Sequence, residues 1–236
     1  MCLLMKAIIL AGGFGKRLKP LTDSIPKPLI SILDKPIIYW QIQWLLNYKI
    51  KDFIICAGYM KDNIINYLGD GSNLNINIEY SIEDIPLGTS GALKNCENLL
   101  DDENEILVLN GDILTNINPI NLTKEINNCI LCSMAVVPLQ SPFGIVNFTK
   151  NSIVTGFKEK PLISDYWING GVYSLSKKLF QHLPKPGSLE NDVFPKLANN
   201  KHLKAVTYDN KLWKSIDSHK DIEEANLKFV DFVKKF

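Results

Sequence analysis

At 236 residues the chain is long enough to bury a sizeable core in one large α/β unit. Its 46% hydrophobic and 22% charged residues are those of an ordinary globular protein. A formal net charge of +1 excludes a global field for nucleic acid or an anionic membrane, so any anion must be held by local groups.

The opening MCLLMKAIIL lacks a basic n-region and a cleavage site. Its apolar part reads as a first buried strand, with Met5 a candidate start and Met1 to Leu4 a short extension. The run ends in AIILAGGFGKRLKPLTDSIPKP, Ala7 to Pro28: two glycines, then Lys16, Arg17 and Lys19, then Pro-Lys-Pro. Beyond it, short β-branched runs (KDFIICAG, INIEYSI, EILVLNGD, ILCSMAVV) alternate with helix-like stretches (KPIIYWQIQWLLNYK, MKDNIINYLGD, TSGALKNCENLLDD, NPINLTKEINN). That alternation predicts a Rossmann-like α/β fold, a mostly parallel mixed sheet flanked by helices. After Ala135 the chain becomes strand-rich, with GIVNFT, SIVTGFKEK, WINGGVYSL and LKAVTYD, a helix near Asn191–Asn200, and a closing amphipathic helix capped by Ser218. No apolar run reaches the length of a membrane span. With no repeat, low-complexity tract or linker, 1–236 reads as a single domain. The pattern changes near residue 135, from alternating strands and helices to a strand-rich part that ends in the closing helix.

The cysteines, Cys2, Cys56, Cys96, Cys129 and Cys132, are odd in number and mostly in apolar runs, which fits reduced thiols in a cytoplasm. Cys129 and Cys132 are spaced C-x-x-C, but His182, His202 and His219 are scattered, which argues against a zinc site.

The glycines of the first loop let the main chain approach a ligand at the end of a parallel strand, where such sheets place ligands. A dinucleotide fingerprint would need glycine at Leu18 and a helix that Pro20 disfavours. A P-loop would need glycine at Leu10 and Ser or Thr at Arg17. What remains is G-G-x-G-x-R-L-x-P-L-T, Gly12 to Thr22, followed by P-K-P, Pro26 to Pro28. At this point the sequence resembles the sugar-1-phosphate nucleotidyltransferases, the nucleotide-sugar pyrophosphorylases. The physical logic agrees: backbone N–H groups can line phosphates without charge of their own. Arg17 suits the oxygens that leave as pyrophosphate, and Lys27, between two prolines, would place a charge near the α-phosphate.

The resemblance continues at spaced stations. EDIPLGTSGALKN, Glu83 to Asn95, is similar to the family segment facing base and ribose. By carry-over the nucleotide set is Leu10, Ala11, Gly12, Gly13, Gly15, Arg17, Lys27, Pro86, Gly88, Thr89 and Asp112, with Arg17 and Lys27 catalytic. Asp112, ending the strand LVLNGD, is placed to hold Mg²⁺ bound partly by substrate phosphates. SPFGIV, FKEKP and WINGGVY resemble the sugar side, implying Gly144, Glu159, Lys160, Asn169 and Gly170 as its residues. PGSLENDVFPKL, Pro186 to Leu197, is similar to the GDP-mannose-forming branch. One departure matters: the family's second metal aspartate falls at Ser215, with Asp217 two positions on. Residues two apart on a strand share a face, and the cytidylyltransferase branch has its aspartate at this later position, so Asp217 is expected to supply the carboxylate.

The resemblance implies a nucleotidyltransferase fold, with residues to about 135 as its nucleotide-binding part and about 136–236 as its sugar-binding part and closing helix; the length after that helix is expected to leave no room for the C-terminal β-helix that many relatives carry. The reaction it implies joins an NTP, GTP favoured, to mannose 1-phosphate or a related hexose or heptose phosphate. CTP, UTP or dTTP stay open as alternatives, as does a non-catalytic regulatory or assembly subunit. The implied partners are the two small substrates, without nucleic acid or membrane, and the sequence leaves homodimerisation open.

Overall fold

The computed structural model describes residues 5–100, 105–209 and 211–233. The reading of Met1 to Leu4 as an extension lies outside these residues, as do parts of two expected helices (101–102 and 234–235).

In chain order the strands are β1 (Lys6–Leu10), β2 (Ser31–Ile32), β3 (Lys35–Pro36), β4 (Asp52–Ala57), β5 (Asn77–Ile82), β6 (Glu105–Asn110), β7 (Ile113–Thr115), β8 (Cys132–Gln140), β9 (Ile145–Phe148), β10 (Val154–Lys158), β11 (Leu162–Ser176), β12 (Leu203–Thr207) and β13 (Trp213–Ser215). The α-helices are α1 (Ile37–Leu46), α2 (Lys61–Leu68), α3 (Gly88–Asn95), α4 (Ile120–Thr123), α5 (Lys177–Phe180), α6 (Phe194–Asn199), α7 (His219–Lys228) and α8 (Val230–Val233). A seven-stranded sheet runs β12-β8-β11-β6-β1-β4-β5. Every pairing in it is parallel except those of β11, which is antiparallel to both β6 and β8. The expected mostly parallel mixed sheet is thus found.

The continuous apolar runs become central strands because both faces are covered. Ala7, Ile9, Phe53, Ile55, Leu107 and Leu109 face one core with α1 and α2, while Ile8, Ile54, Ile106 and Val108 face a second core with α3, α5 and α6. Each fully buried aliphatic side chain contributes about 1.5–3 kcal/mol by leaving water. The edge strand β5 starts in alternation, with Asn77 and Glu79 exposed about buried Ile78, and its end is covered on the other face too, where Ser81 is buried and accepts from Asn95 of α3.

The second half departs from expectation in detail. NPINLTKEINN makes only the single turn α4, and the closing helix breaks at Phe229, which is buried in the first core. Ser218 does cap α7: its hydroxyl accepts the Asp221 N–H at 3.3 Å, and Asp221 Oδ2 accepts the Ser218 N–H at 2.8 Å.

Chain order reverses at the β1/β6 boundary, since β4 and β5 lie to one side of β1 and β6 to the other. That switch point opens a crevice beyond the carboxyl ends of the two strands.

Candidate active site

The crevice is a cavity of about 410 Å³. Its walls include every residue of the expected nucleotide set and Asp217. Leu10 and Ala11 end β1, and the Ala11 N–H donates to Cys56 O at 2.8 Å, so the Gly-rich turn leaves the sheet at a fixed point. Gly15 reverses the chain at φ 60°, where a side chain is disfavoured, and its carbonyl accepts from Leu18 N and from Thr22 Oγ1. Only the short 3₁₀ turn Lys16–Leu18 follows, which aims Arg17 out over the cavity.

Across from it, Gly111 N donates to Leu10 O at 3.0 Å, joining the turn that carries Asp112 to the end of β1. The β7–β13 ladder then draws in the far end of the chain: Ile113 pairs with Ser215, and Ile216 N donates to Asp112 O at 3.0 Å. Asp217 lies beyond β13 rather than on it, so strand alternation does not account for its place at the cavity. Its carboxylate turns back beside Ser215, whose hydroxyl donates to Asp217 Oδ2 at 2.5 Å.

Four charges converge. Lys27 Nζ is 2.5 Å from Asp112 Oδ2 and 2.9 Å from Asp217 Oδ1, and Arg17 Nη2 is 2.7 Å from Asp217 Oδ1. Burial pushes the Asp217 pKa up. The Ser215 hydrogen bond, together with the cations of Lys27 and Arg17, outweighs burial and holds the carboxylate below its usual range.

The end of the cavity at Pro86–Thr89 is shaped by a second glycine. Gly88 has φ 74°, and a Cβ there would sit 2.3 Å from Gly187 O, so the Pro86–Thr89 segment is locked against the 184–190 loop. Thr89 Oγ1 donates to Glu190 Oε2 and accepts from Leu189 N, both at 2.8 Å. Glu83 also lines the cavity and stands outside the expected set. Its Oε2 accepts the Leu87 N–H at 3.0 Å, and burial pushes its pKa up against the opposing effects of that bond and of Lys185. The available signal was a carboxylate directly after a parallel strand, on the loop leading to Gly88.

The residues expected on the sugar side do not line this cavity. Gly144 lies beside Phe157 and Glu159 at the base of the β9–β10 hairpin, and Lys160 Nζ pairs with Glu159 at 3.3 Å, both side chains largely exposed. Asn169 and Gly170 sit on β11. Asn169 donates to the buried Tyr173 hydroxyl at 2.8 Å and accepts from Gly171 N, and Gly170 O accepts from Trp213 Nε1 at 2.7 Å. The latter contact joins β11 to β13, the strand leading to Asp217.

Among the described residues no three His, Cys, Asp or Glu side chains cluster as a metal site. The pair Asp112 and Asp217 nevertheless fits a hard divalent cation, since two carboxylate oxygens already flank one cationic nitrogen. No helix among the described residues is long and apolar enough to cross a membrane.

Known proteins are similar to this chain in sequence and in fold. The mannose-1-phosphate guanyltransferase of Schizosaccharomyces pombe is 32% identical over 229 residues, 92% of this chain and 62% of the relative. The D-glycero-alpha-D-manno-heptose 1-phosphate guanylyltransferase of Campylobacter jejuni is 40% identical over 179 residues, 75% of this chain and 78% of the relative. The chain thus spans under two thirds of the fungal enzyme's length. Among solved structures, HddC from Yersinia pseudotuberculosis complexed with GMP-PN is similar, with a TM-score of 0.75 and 27% identity over 95% of this chain and 99% of that one. The family description Nucleotidyl transferase matches residues 6–231, and the chain belongs to that family.

Proposed function

We propose that the protein transfers a guanylyl group from GTP to mannose 1-phosphate or a manno-heptose 1-phosphate, releasing pyrophosphate. The observation that carries this reading is the convergence of Arg17, Lys27, Asp112 and Asp217 over a Gly-rich turn at the sheet's switch point. The relatives bearing guanylyltransferase names support the base and the sugar class.

Glu83 supports guanine on chemical grounds. An ionised carboxylate only accepts hydrogen bonds. Guanine alone among the common bases offers two adjacent donors, N1–H and N2–H₂, on its pairing edge. Uracil and thymine offer one donor between acceptors, and cytosine a donor beside an acceptor.

In the reaction, an oxygen of the sugar phosphate forms a bond to the α-phosphorus while the bond to the pyrophosphate oxygen breaks. The nucleophile is largely a dianion at neutral pH, because a phosphate monoester's second pKa is about 6, so it needs no general base. The chain's task is to bring two anions together. Backbone N–H groups of the Gly12–Gly15 turn line the triphosphate, Arg17 holds the departing pyrophosphate, and Lys27 faces the α-phosphate. Asp112 and Asp217 would hold Mg²⁺, which neutralises phosphate charge when bound. Glu159 and Asn169 would take sugar hydroxyls, Lys160 the sugar's phosphate, and the backbone at Gly144 and Gly170 would complete that side. Under this reading the part up to about residue 135 serves the nucleotide and the remainder the sugar. The buried thiols and the substrates fit a cytoplasmic setting.

A non-catalytic role had its argument in Ser215 at the usual aspartate position. The place of Asp217 beside Lys27 and Asp112 favours catalysis instead. The test is pyrophosphate release with Mg²⁺ across GTP, CTP, UTP, dTTP and ATP, each with several hexose and heptose 1-phosphates. Strong turnover confined to GTP and a manno-configured phosphate is expected. Turnover with another base, or none from protein that binds nucleotide, would overturn the assignment.

A further inference from the structure

Gln41 lies on α1 and does not line the cavity, yet it is 1% exposed and its amide is committed to the turn that carries Asp112. Its Nε2 donates to Asn110 O at 2.8 Å and to Ile113 O at 2.9 Å. These two carbonyls flank Gly111 and Asp112, so both N–H groups of one side chain span the turn. The other constraints on the turn come from elsewhere: Gly111 N bonds to Leu10 O, and Asp112 O accepts from Ile216 N. Gln41 ties it by two hydrogen bonds to the core helix α1.

The choice of residue carries weight. Gln41 Oε1 is buried without a hydrogen-bond partner. A buried amide with an unpaired oxygen costs more than an apolar side chain of the same shape would. Core packing alone therefore does not account for glutamine among Trp40, Ile42 and Trp44. What an apolar residue cannot supply is the pair of donors.

We propose that Gln41 is a positioning residue for Asp112: it fixes the 110–113 turn so that the carboxylate meets Asp217 with the spacing a divalent cation needs. This rests on the reading of Asp112 and Asp217 as the cation site. Partners of this kind set ligand geometry without touching substrate, and losing one weakens metal affinity or activity by about 10–100-fold.

The test compares Gln41→Met, which keeps shape and removes both donors, with Trp44→Phe. Trp44 Nε1 donates to Ile117 O at 3.0 Å from the same helix, so its loss removes a buried hydrogen bond without touching the 110–113 turn. Binding of Mn²⁺ alone is followed by electron paramagnetic resonance, with kcat and KM for both substrates measured alongside. Gln41→Met should bind Mn²⁺ about 10-fold more weakly and lose about 10-fold in kcat, with sugar-phosphate KM little changed. Trp44→Phe should lower only the melting temperature. Wild-type Mn²⁺ affinity in Gln41→Met, or equal loss in Trp44→Phe, overturns the proposal. If Gln41→Met does not fold, Gln41→Glu, which retains one donor when protonated, is measured, and unchanged Mn²⁺ affinity there overturns it equally. Because Mn²⁺ binding is read without turnover, failure of the guanylyltransferase reading is a separate result: an inactive wild type in the substrate grid.

Discussion

Asp112 and Asp217, from opposite halves of the chain, accept hydrogen bonds from the same Lys27 ammonium, at 2.5 and 2.9 Å. The lysine side chain is 13% exposed and the two carboxylates 25% and 27%, so water screens the group only in part. A buried cation here does in the free protein what a metal would do with substrate present: it lets two negative groups stand side by side.

Replacing Lys27 by methionine therefore removes the cation the two carboxylates share and leaves Arg17 on Asp217 alone. The expected cost is about 1–3 kcal/mol, which for a chain of this size lowers the melting temperature by roughly 2–10 °C. Added Mg²⁺ should restore much of that loss, and should stabilise the variant more than the wild type. Thermal unfolding with EDTA and with Mg²⁺ checks this. Equal Mg²⁺ responses in the two proteins would mean that the carboxylates do not form a cation site.

Ser215 and Asp217 separate by the size of their effects. Asp217→Asn should cut turnover by about 10²–10³-fold, the scale for losing a preorganised charge at a reacting phosphate. Ser215→Ala removes one hydrogen bond to a charged group that is partly exposed, so a loss of about 3–10-fold is expected. The folded pKa of Asp217 is depressed below the ordinary 3.8, so its stabilisation is present above that value and fades as pH falls through the folded value. Asp217→Asn should flatten the acid limb of the stability curve below about pH 4. A variant order with Ser215→Ala the more damaging would return the metal role to position 215.

The contrast between these two residues also shows what a sequence can and cannot carry. The central strands were legible because strands buried on both faces leave continuous apolar runs, such as KAIIL and EILVLN. The Gly-rich turn at the cavity was legible because its glycines and cations lie close together in the chain. Asp217 was legible only as a residue type near the right place. Its carboxylate is positioned by the β7–β13 ladder and by Ser215, and such long-range pairing leaves no periodic trace. The same holds for Gln41, which reads as one polar residue in an apolar helix until its two carbonyl partners are seen. The single turn of α4 and the break at Phe229 follow from tertiary packing that overrides helical patterning.

Two glycines of the cavity should differ in what alanine does to stability. Gly88 has φ 74° and its Cβ would meet Gly187 O at 2.3 Å, the same oxygen that accepts from Ser90 N and Gly91 N. Gly88→Ala should therefore cost about 1–3 kcal/mol in backbone strain alone and also raise the nucleotide KM. A Cβ at Gly13 meets nothing within 4 Å. Gly13→Ala should leave stability within about 0.5 kcal/mol of wild type while crowding the triphosphate and raising KM. Thermal unfolding alongside nucleotide kinetics distinguishes the two, and a stable Gly88→Ala protein would show that the base segment is not locked as described.

Glu83 brings stability and recognition into conflict. Its folded pKa is raised, chiefly by burial, so the folded protein holds a proton that the unfolded chain has released between the ordinary value of 4.5 and the folded value. Stability therefore falls as pH rises through that window and remains lower at neutral pH. Glu83→Gln removes this penalty and should melt slightly higher than wild type at pH 7. The same change should weaken GTP. Glutamine offers one acceptor where, under the proposed reading, the carboxylate would accept from both guanine donors, and losing a charge-assisted bond of about 1.5–3 kcal/mol corresponds to a KM increase of roughly 10–100-fold. Inosine triphosphate, which lacks the N2 amine, isolates the contact: wild type should prefer GTP to it clearly, and Glu83→Gln much less. In the wild type, KM for GTP should also climb as pH drops into the window just above 4.5, where Glu83 takes up its proton, and the variant should lose that rise. A variant that melts higher yet keeps both its preference for GTP over inosine triphosphate and its acid rise in KM would leave Glu83 as a strained wall residue, with the base read elsewhere in the cavity.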